Sequence, residues 1–268
     1  MIRENTELLF ADKIGIVFGG LVAARDVTMR VPKGQVVSLI GPNGAGKTTV
    51  FNLLTGFYKT DSGDIRLEGQ SLSGLKPSQY INKGIARTFQ NLRLFRQMTV
   101  LENVLVGRQR LIRYSPLDVI FNTRKKKSLE KEAEEHCCVI LEQVGLIDQR
   151  YKFPGSLSYG KQKYLEIARA MASSPKIILL DEPAAGLNPQ ETRDLSLFTR
   201  RLLDLGFTVL LIEHDMSLVM RISDYVYVMN QGMMLCEGTP EHVRSDAQVI
   251  EAYIGKGGRG LVAKSRKH

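Results

Sequence analysis

With 268 residues, 43% of them hydrophobic, the chain can bury the core of one large domain, or of one domain carrying a sub-domain. No apolar run approaches the roughly 18 residues that cross a bilayer, and MIRENTELLF lacks the apolar core of a secretory signal, so a membrane role calls for a spanning partner. The net charge of +9 does not by itself point to nucleic acid: five of the 37 basic residues (Lys256, Arg259, Lys264, Arg266, Lys267) lie in the last fourteen, leaving 32 against 28 acidic ones elsewhere.

In chain order, the region before Gly34 and the later LEGQSL read as strands joined by turns, which predicts an antiparallel sheet. VPKGQVVSLIGPNGAGKTTVFNLLTG changes period midway, from a buried strand through a glycine-rich turn to a helix. Between 91 and 160 the texture turns helical: Leu129, Ala133, Ile140, Leu141 and Val144 share one face, acids crowd the rest, and Gly145 is the stop. The basic run TRKKKS just before this helix reads as a solvated helix start or loop. Strand signals recur at KIILLD, FTVLLIEH and YVYVMNQG with helical stretches between, as in an α/β core with parallel central strands. The expected division is therefore 1–90 (first part of the core, with the antiparallel sub-domain), 91–160 (helical sub-domain), 161–254 (second part of the core) and 255–268. That last segment reads as a flexible basic tail, either solvated or against an anionic membrane surface. Cys137 and Cys138 are neighbours and Cys236 stands alone, a pattern of neither disulfides nor a metal site but of reduced, structural thiols in the cytosol.

GPNGAGKT, Gly41 to Thr48, satisfies GxxxxGK[ST] between a strand and a helix. Glycines let the backbone wrap phosphates, the helix start supplies N–H groups, Lys47 neutralises the β and γ oxygens, and Thr48 can ligate Mg²⁺. In IILLDEP, Asp181 and Glu182 end an apolar strand, where paired carboxylates are costly without a cation or a polar opening. With a phosphate loop in the same chain, Asp181 becomes an outer partner of Mg²⁺ and Glu182 a base for the attacking water. His214 closes VLLIEHD at the same edge; a lone histidine is usually structural, but here it is placed to reach the γ-phosphate or that water. The amide of Gln90, in ARTFQ, can bind metal or water.

The ordered set GPNGAGKTT, RTFQ, LSYGKQ, IILLDEP, AGLNP and LLIEHD resembles the nucleotide-binding subunit of an ATP-binding cassette (ABC) transporter, up to about Ile254. Phrases such as RTFQNLRLFRQMTVLENVLVG and DEPAAGLNPQET are most similar to the branch serving high-affinity branched-chain amino-acid import. The resemblance implies a P-loop NTPase core with a mostly parallel sheet, a flanking antiparallel β sub-domain and an inserted helical sub-domain. It implies that ATP is bound by Gly41, Pro42, Asn43, Gly44, Ala45, Gly46, Lys47, Thr48 and Thr49, with Mg²⁺ held by Thr48, Gln90 and Asp181. It makes Phe18, which alone reads as core, the aromatic that stacks on adenine, and Gln90 the link between the metal site and the membrane subunits. Catalysis then falls to Glu182, His214 and Gln90.

LSYGKQ reads as a polar hexapeptide just before the helical-looking stretch KYLEIARAM; within it, the resemblance assigns Ser158, Gly160 and the helix start to a partner's nucleotide rather than the chain's own, because two cassettes sandwich two nucleotides head to tail. Tyr159 and Lys161 depart from the common glycine and glutamine; Lys161 can tighten closure or simply face water. Asn188, in AGLN, stands where the family usually has aspartate. The implied partners are two transmembrane permease subunits, a second cassette ATPase (a paralogue, or a second copy of this chain) and, indirectly, an extracytoplasmic solute-binding protein, with the chain peripheral on the cytoplasmic face of the inner membrane and no nucleic acid bound. The rivals are a related system for urea or amides, a lipid exporter, and a soluble nucleic-acid-associated cassette.

Overall fold

The computed structural model describes residues 7–254, apart from 116, 119 and 120. The hairpin of β1 (Glu7–Phe18) and β2 (Leu21–Pro32) leads to β3 (Val36–Ile40), which is buried throughout, as its unbroken apolar run requires. A glycine-rich turn opens α1 (Lys47–Leu54); β4 (Ser62–Leu67), β5 (Gln70–Ser71), α2 (Pro77–Lys83) and β6 (Ile85–Arg87) follow. α3 (Val100–Arg108) starts with a capping box, Thr99 accepting from the Glu102 N–H while the Glu102 carboxylate accepts from the Thr99 N–H at 2.6 Å. α4 (Arg124–Gln143) is capped by Thr123, so the basic run forms its first turn, and the chain leaves it through Gly145 at φ 69°. The rest runs α5 (Tyr159–Ala172), β7 (Ile177–Asp181), α6 (Pro189–Asp204), β8 (Thr208–Ile212), α7 (Met216–Ile222), β9 (Tyr225–Asn230), β10 (Met233–Gly238), α8 (Pro240–Ser245) and α9 (Ala247–Ile254).

The expected α/β architecture is present: an antiparallel sheet ordered β2-β1-β4-β5, and a second sheet ordered β10-β9-β3-β8-β7-β6. The second is parallel from β9 to β6, with β10 antiparallel on its edge. Alternation along the buried strands divides the core. Val37, Leu39, Ile177, Leu179 and Leu210 pack with Phe51 and Leu53 of α1 and with the antiparallel sheet, whereas Val36, Ile178, Leu180, Val209 and Leu211 pack with Leu165, Phe198 and Leu202 of the helices. Both faces are covered, so functional groups gather at the open carboxyl edge.

Two local expectations change. α5 begins at Tyr159, so YGKQ forms its first turn instead of preceding it, and the helix runs across the expected 160/161 boundary. On α4, Ala133, Cys137, Ile140 and Leu141 are buried, while Leu129 at its amino-terminal end is only half-buried. The basic tail, 255–268, lies outside the described residues.

Candidate functional site

The turn after β3 is moulded by its glycines. A Cβ on Gly46, at φ 98°, would lie 2.5 Å from the Ala23 carbonyl oxygen, and one on Gly41 would strike the Met229 carbonyl. Only a bare backbone fits between β2 and β9. Lys47 is 7% exposed, and its Nζ donates to the Gly41 carbonyl at 2.8 Å and the Pro42 carbonyl at 3.1 Å, closing the loop on itself. Burial lowers the Lys47 pKa, and the Glu182 and Asp181 carboxylates nearby work against that. Asn43, Gly44 and Thr48 are exposed, Pro42 and Thr49 are half-buried, and Ala45 anchors the loop in the core.

Asp181 ends β7 with its side chain 6% exposed, and the cation its burial calls for is Arg87, whose Nη2 donates to Oδ2 at 2.6 Å. The other arm of the guanidinium reaches Asn52 Oδ1 on α1 at 2.7 Å. The next residue, Glu182, sits at φ 46°, a left-handed conformation that costs a non-glycine residue about 1 kcal/mol. Its N–H donates to the Ile212 carbonyl across the sheet at 3.0 Å, which holds it there. The result turns the Glu182 carboxylate to the edge, where Gln90 Nε2 donates to it at 2.8 Å and His214 Nδ1 lies 3.7 Å away. Glu182, Gln90 and His214 thus come together as predicted from sequence. His214 is largely exposed, so it is not a packed core histidine.

Phe18 is 43% exposed and meets Tyr58 edge-on, with ring centroids 5.1 Å apart, which removes its reading as core. At the start of α5, Ser158 Oγ caps the helix by accepting from the Lys161 N–H. Ser158, Tyr159 and Lys161 are exposed while Gly160 is buried, with Glu191 so close that a Cβ would lie 2.7 Å from its Oε1. Tyr159 has no positive φ to bear, so tyrosine costs nothing there. Asn188 caps α6, its Oδ1 accepting from the Gln190 and Glu191 N–H groups at 2.9 Å, a task that needs an oxygen and no charge.

Three residues escaped the sequence reading. Arg87 was visible in ARTFQ, but only the parallel register, Arg87 opposite Leu179, brings it to Asp181. Glu213 is fully buried; its Oε1 accepts from the Ala184 N–H at 2.9 Å, which ties the residue just before AGLN to the end of β8, and burial raises its pKa. Lys163, also buried, donates to the Gln90 carbonyl at 3.0 Å. Of the three cysteines, Cys236 lies in a cluster with His242 and Asp246, whose ligand atoms are all within 4.8 Å of one another. The half-buried Cys236 thiol, its pKa raised by burial, is hydrogen-bonded to Asp246, whose own pKa is lowered by the Val249 and Gln248 N–H groups it accepts from, so the carboxylate is satisfied within the chain.

A phosphate loop at the carboxyl edge of a parallel sheet, with an acid pair ending a strand of the same sheet, defines a P-loop NTPase. The chain belongs to the ABC transporter family, whose model matches residues 24–185. A second family, Branched-chain amino acid ATP-binding cassette transporter, matches residues 234–259. The chain is 51% identical over 240 residues to the high-affinity branched-chain amino acid transport ATP-binding protein BraF of Pseudomonas aeruginosa, covering 89% of this chain and 94% of that one. It is 47% identical to LivG of Escherichia coli, a protein of the same description, over 93% and 98% of the two chains. Among solved structures, the ADP conformation of an ATP-binding cassette of an ABC transporter superimposes with a TM-score of 0.82 at 38% identity, over 93% of this chain and 99% of that one.

Proposed function

We propose that the chain hydrolyses ATP and so powers the import of branched-chain amino acids through membrane partner subunits. The observation that carries this reading is the 51% identity to BraF over 94% of its length, since that name states both the solute class and ATP binding. The geometry supports the chemistry. Lys47, drawn over the loop, pairs with phosphate oxygens that the α1 amino terminus also receives. Phe18, exposed beside Tyr58, stacks on the adenine. The hydroxyl of Thr48, the amide of Gln90 and the carboxylate of Asp181 are oxygen donors of the kind Mg²⁺ takes. Mg²⁺, when bound, supplies positive charge beside the β and γ phosphoryl oxygens. Glu182 accepts the proton of the attacking water on a carboxylate oxygen, oriented by the Gln90 amide, and His214 stands beside it for the γ-phosphate.

The exposed Ser158 at the start of α5 reaches the nucleotide of a second cassette, with Gly160 beneath it letting the first turn pack against Glu191. A shallow, mostly apolar groove lined by Met98, just before α3, by Glu102, Leu105 and Val106 on it and by Gln109 after it supports docking of the permease subunits at the cytoplasmic face of the membrane. Among the described residues no helix is long and apolar enough to cross a membrane. The test is uptake of labelled leucine and urea by cells carrying Glu182→Gln in place of the native chain. Loss of leucine uptake alone supports the reading, loss of urea uptake alone replaces the solute, and loss of neither overturns a transport role for this ATPase site.

A further inference from the structure

One face of α5 carries charge where a buried helix face is normally apolar. Lys163, Glu166 and Arg169 recur every third residue, and Lys163 and Glu166 are only 3% and 2% exposed. All three point at the backbone of residues 89–93. Lys163 Nζ donates to the Gln90 carbonyl at 3.0 Å, Glu166 Oε1 accepts from the Arg93 N–H at 3.4 Å, and Arg169 Nη1 donates to the Arg93 carbonyl. Arg169 also lies 3.7 Å from Glu166, so that carboxylate offsets one of the two cations, and backbone carbonyls of the loop accept from both.

The same loop is gripped at its other end. Arg87 joins Asp181 to Asn52, and the Phe89 ring meets two guanidiniums, Arg87 at 5.2 Å and Arg93 at 4.4 Å from its centroid. Burying charged groups is costly, and an apolar face would bury α5 at lower cost. What the charges add is a fixed register between the helix and the loop, because each bond has one partner atom.

We infer that residues 87–93 form a strut joining the start of α5 to the Gln90–Glu182 pair of the same subunit, with Lys163 as the positioning residue for Gln90. α5 begins at the exposed Ser158 face and Gln90 ends on Glu182, so a displacement of that face reaches the base of the chain's own site. The inference rests on the proposed ATP-hydrolysing reading and adds a positioning residue to that site.

The test is a double-mutant cycle on ATP hydrolysis by the purified whole transporter, with Lys163→Met, Gln90→Ala and both together. Lys163→Met is expected to lower kcat about tenfold with KM within about twofold, and Lys163→Arg to restore most of the rate. In the Gln90→Ala background Lys163→Met is expected to cost less than about twofold more, since the group it positions is gone. A full tenfold loss in both backgrounds means a merely structural lysine and overturns the inference. Amide exchange in the unmutated chain covers the case in which Lys163→Met fails to fold. The Arg93 amide is expected to exchange as slowly as the interior of α5, and exchange at open-loop rates overturns the strut. Absence of hydrolysis by the unmutated transporter defeats the ATPase reading instead, and the exchange measurement still decides the strut.

Discussion

The two elements proposed to bind anion, the phosphate loop at 41–48 and the start of α5 at 158–160, are built on opposite plans. The first is closed on itself: Lys47 is buried, bonded to its own loop carbonyls, and flanked by a backbone that leaves no space for a Cβ at Gly46. The second is open, with Ser158 and Tyr159 exposed and only Gly160 packed inward. A site that holds a ligand alone needs its neutralising charge and its walls in place beforehand. A surface that completes another subunit's site needs a firm base and a free face, which α5 provides by fixing its polar underside to residues 89–93.

The largest expected effect sharpens the catalytic half of that contrast. Glu182→Gln should keep ATP affinity within about twofold while turnover falls by about a hundredfold to ten-thousandfold, the range for loss of a general base; parallel nucleotide titration and phosphate release measure both. Next, Lys47→Ala should lower ATP affinity about a hundredfold in the isolated chain, whereas Ser158→Arg should leave it unchanged and abolish ATP-driven association of two cassettes. Calorimetry and analytical ultracentrifugation distinguish them, and equal loss of affinity in both variants would break the division into a closed and an open element.

Arg87→Met leaves the buried Asp181 without its cation and should lower unfolding stability by about 3–5 kcal/mol in urea titrations. A smaller effect comes from Glu213, whose pKa burial raises. The native chain keeps that proton at pH values where the unfolded chain has released it, so stability falls as pH rises from the ordinary carboxylate range to the folded pKa. Glu213→Gln should flatten that part of a thermal-melt pH series, and an unchanged slope would show that Glu213 does not set it. The mildest difference is among the thiols. Burial pushes Cys137 up to about 12, so at pH 8 a disulfide reagent should modify Cys138 and Cys236 well before Cys137, which reacts once the chain is denatured.

Much of the site was legible because its chemistry is contiguous. The phosphate loop carries its glycines, lysine and hydroxyl within eight residues, so spacing alone conveys the geometry. Likewise the acid pair and His214 each end an apolar strand, and parallel strands present their ends at one edge. Phe18 was not legible as a bare residue, since an aromatic beside a strand end is exposed or buried according to what packs over it. The start of α5 was read too late in the chain because glycine and tyrosine are weak helix formers, and the Ser158 cap with the packing of Gly160 against Glu191 overrides that preference.

By itself the sequence determined the strand, loop and helix order, the positions of the phosphate-loop motif and of the acid pair, and the family resemblance, all of which depend on residues close along the chain. Only the tertiary structure decided which charges meet. Arg87 finds Asp181 across 94 residues and Lys163 finds Gln90 across 73, through a strand register and a helix docking that no local pattern encodes. Long-range pairs of this kind are set by the packing of the two faces of one sheet, and a charge buried there takes whichever partner the fold brings within reach.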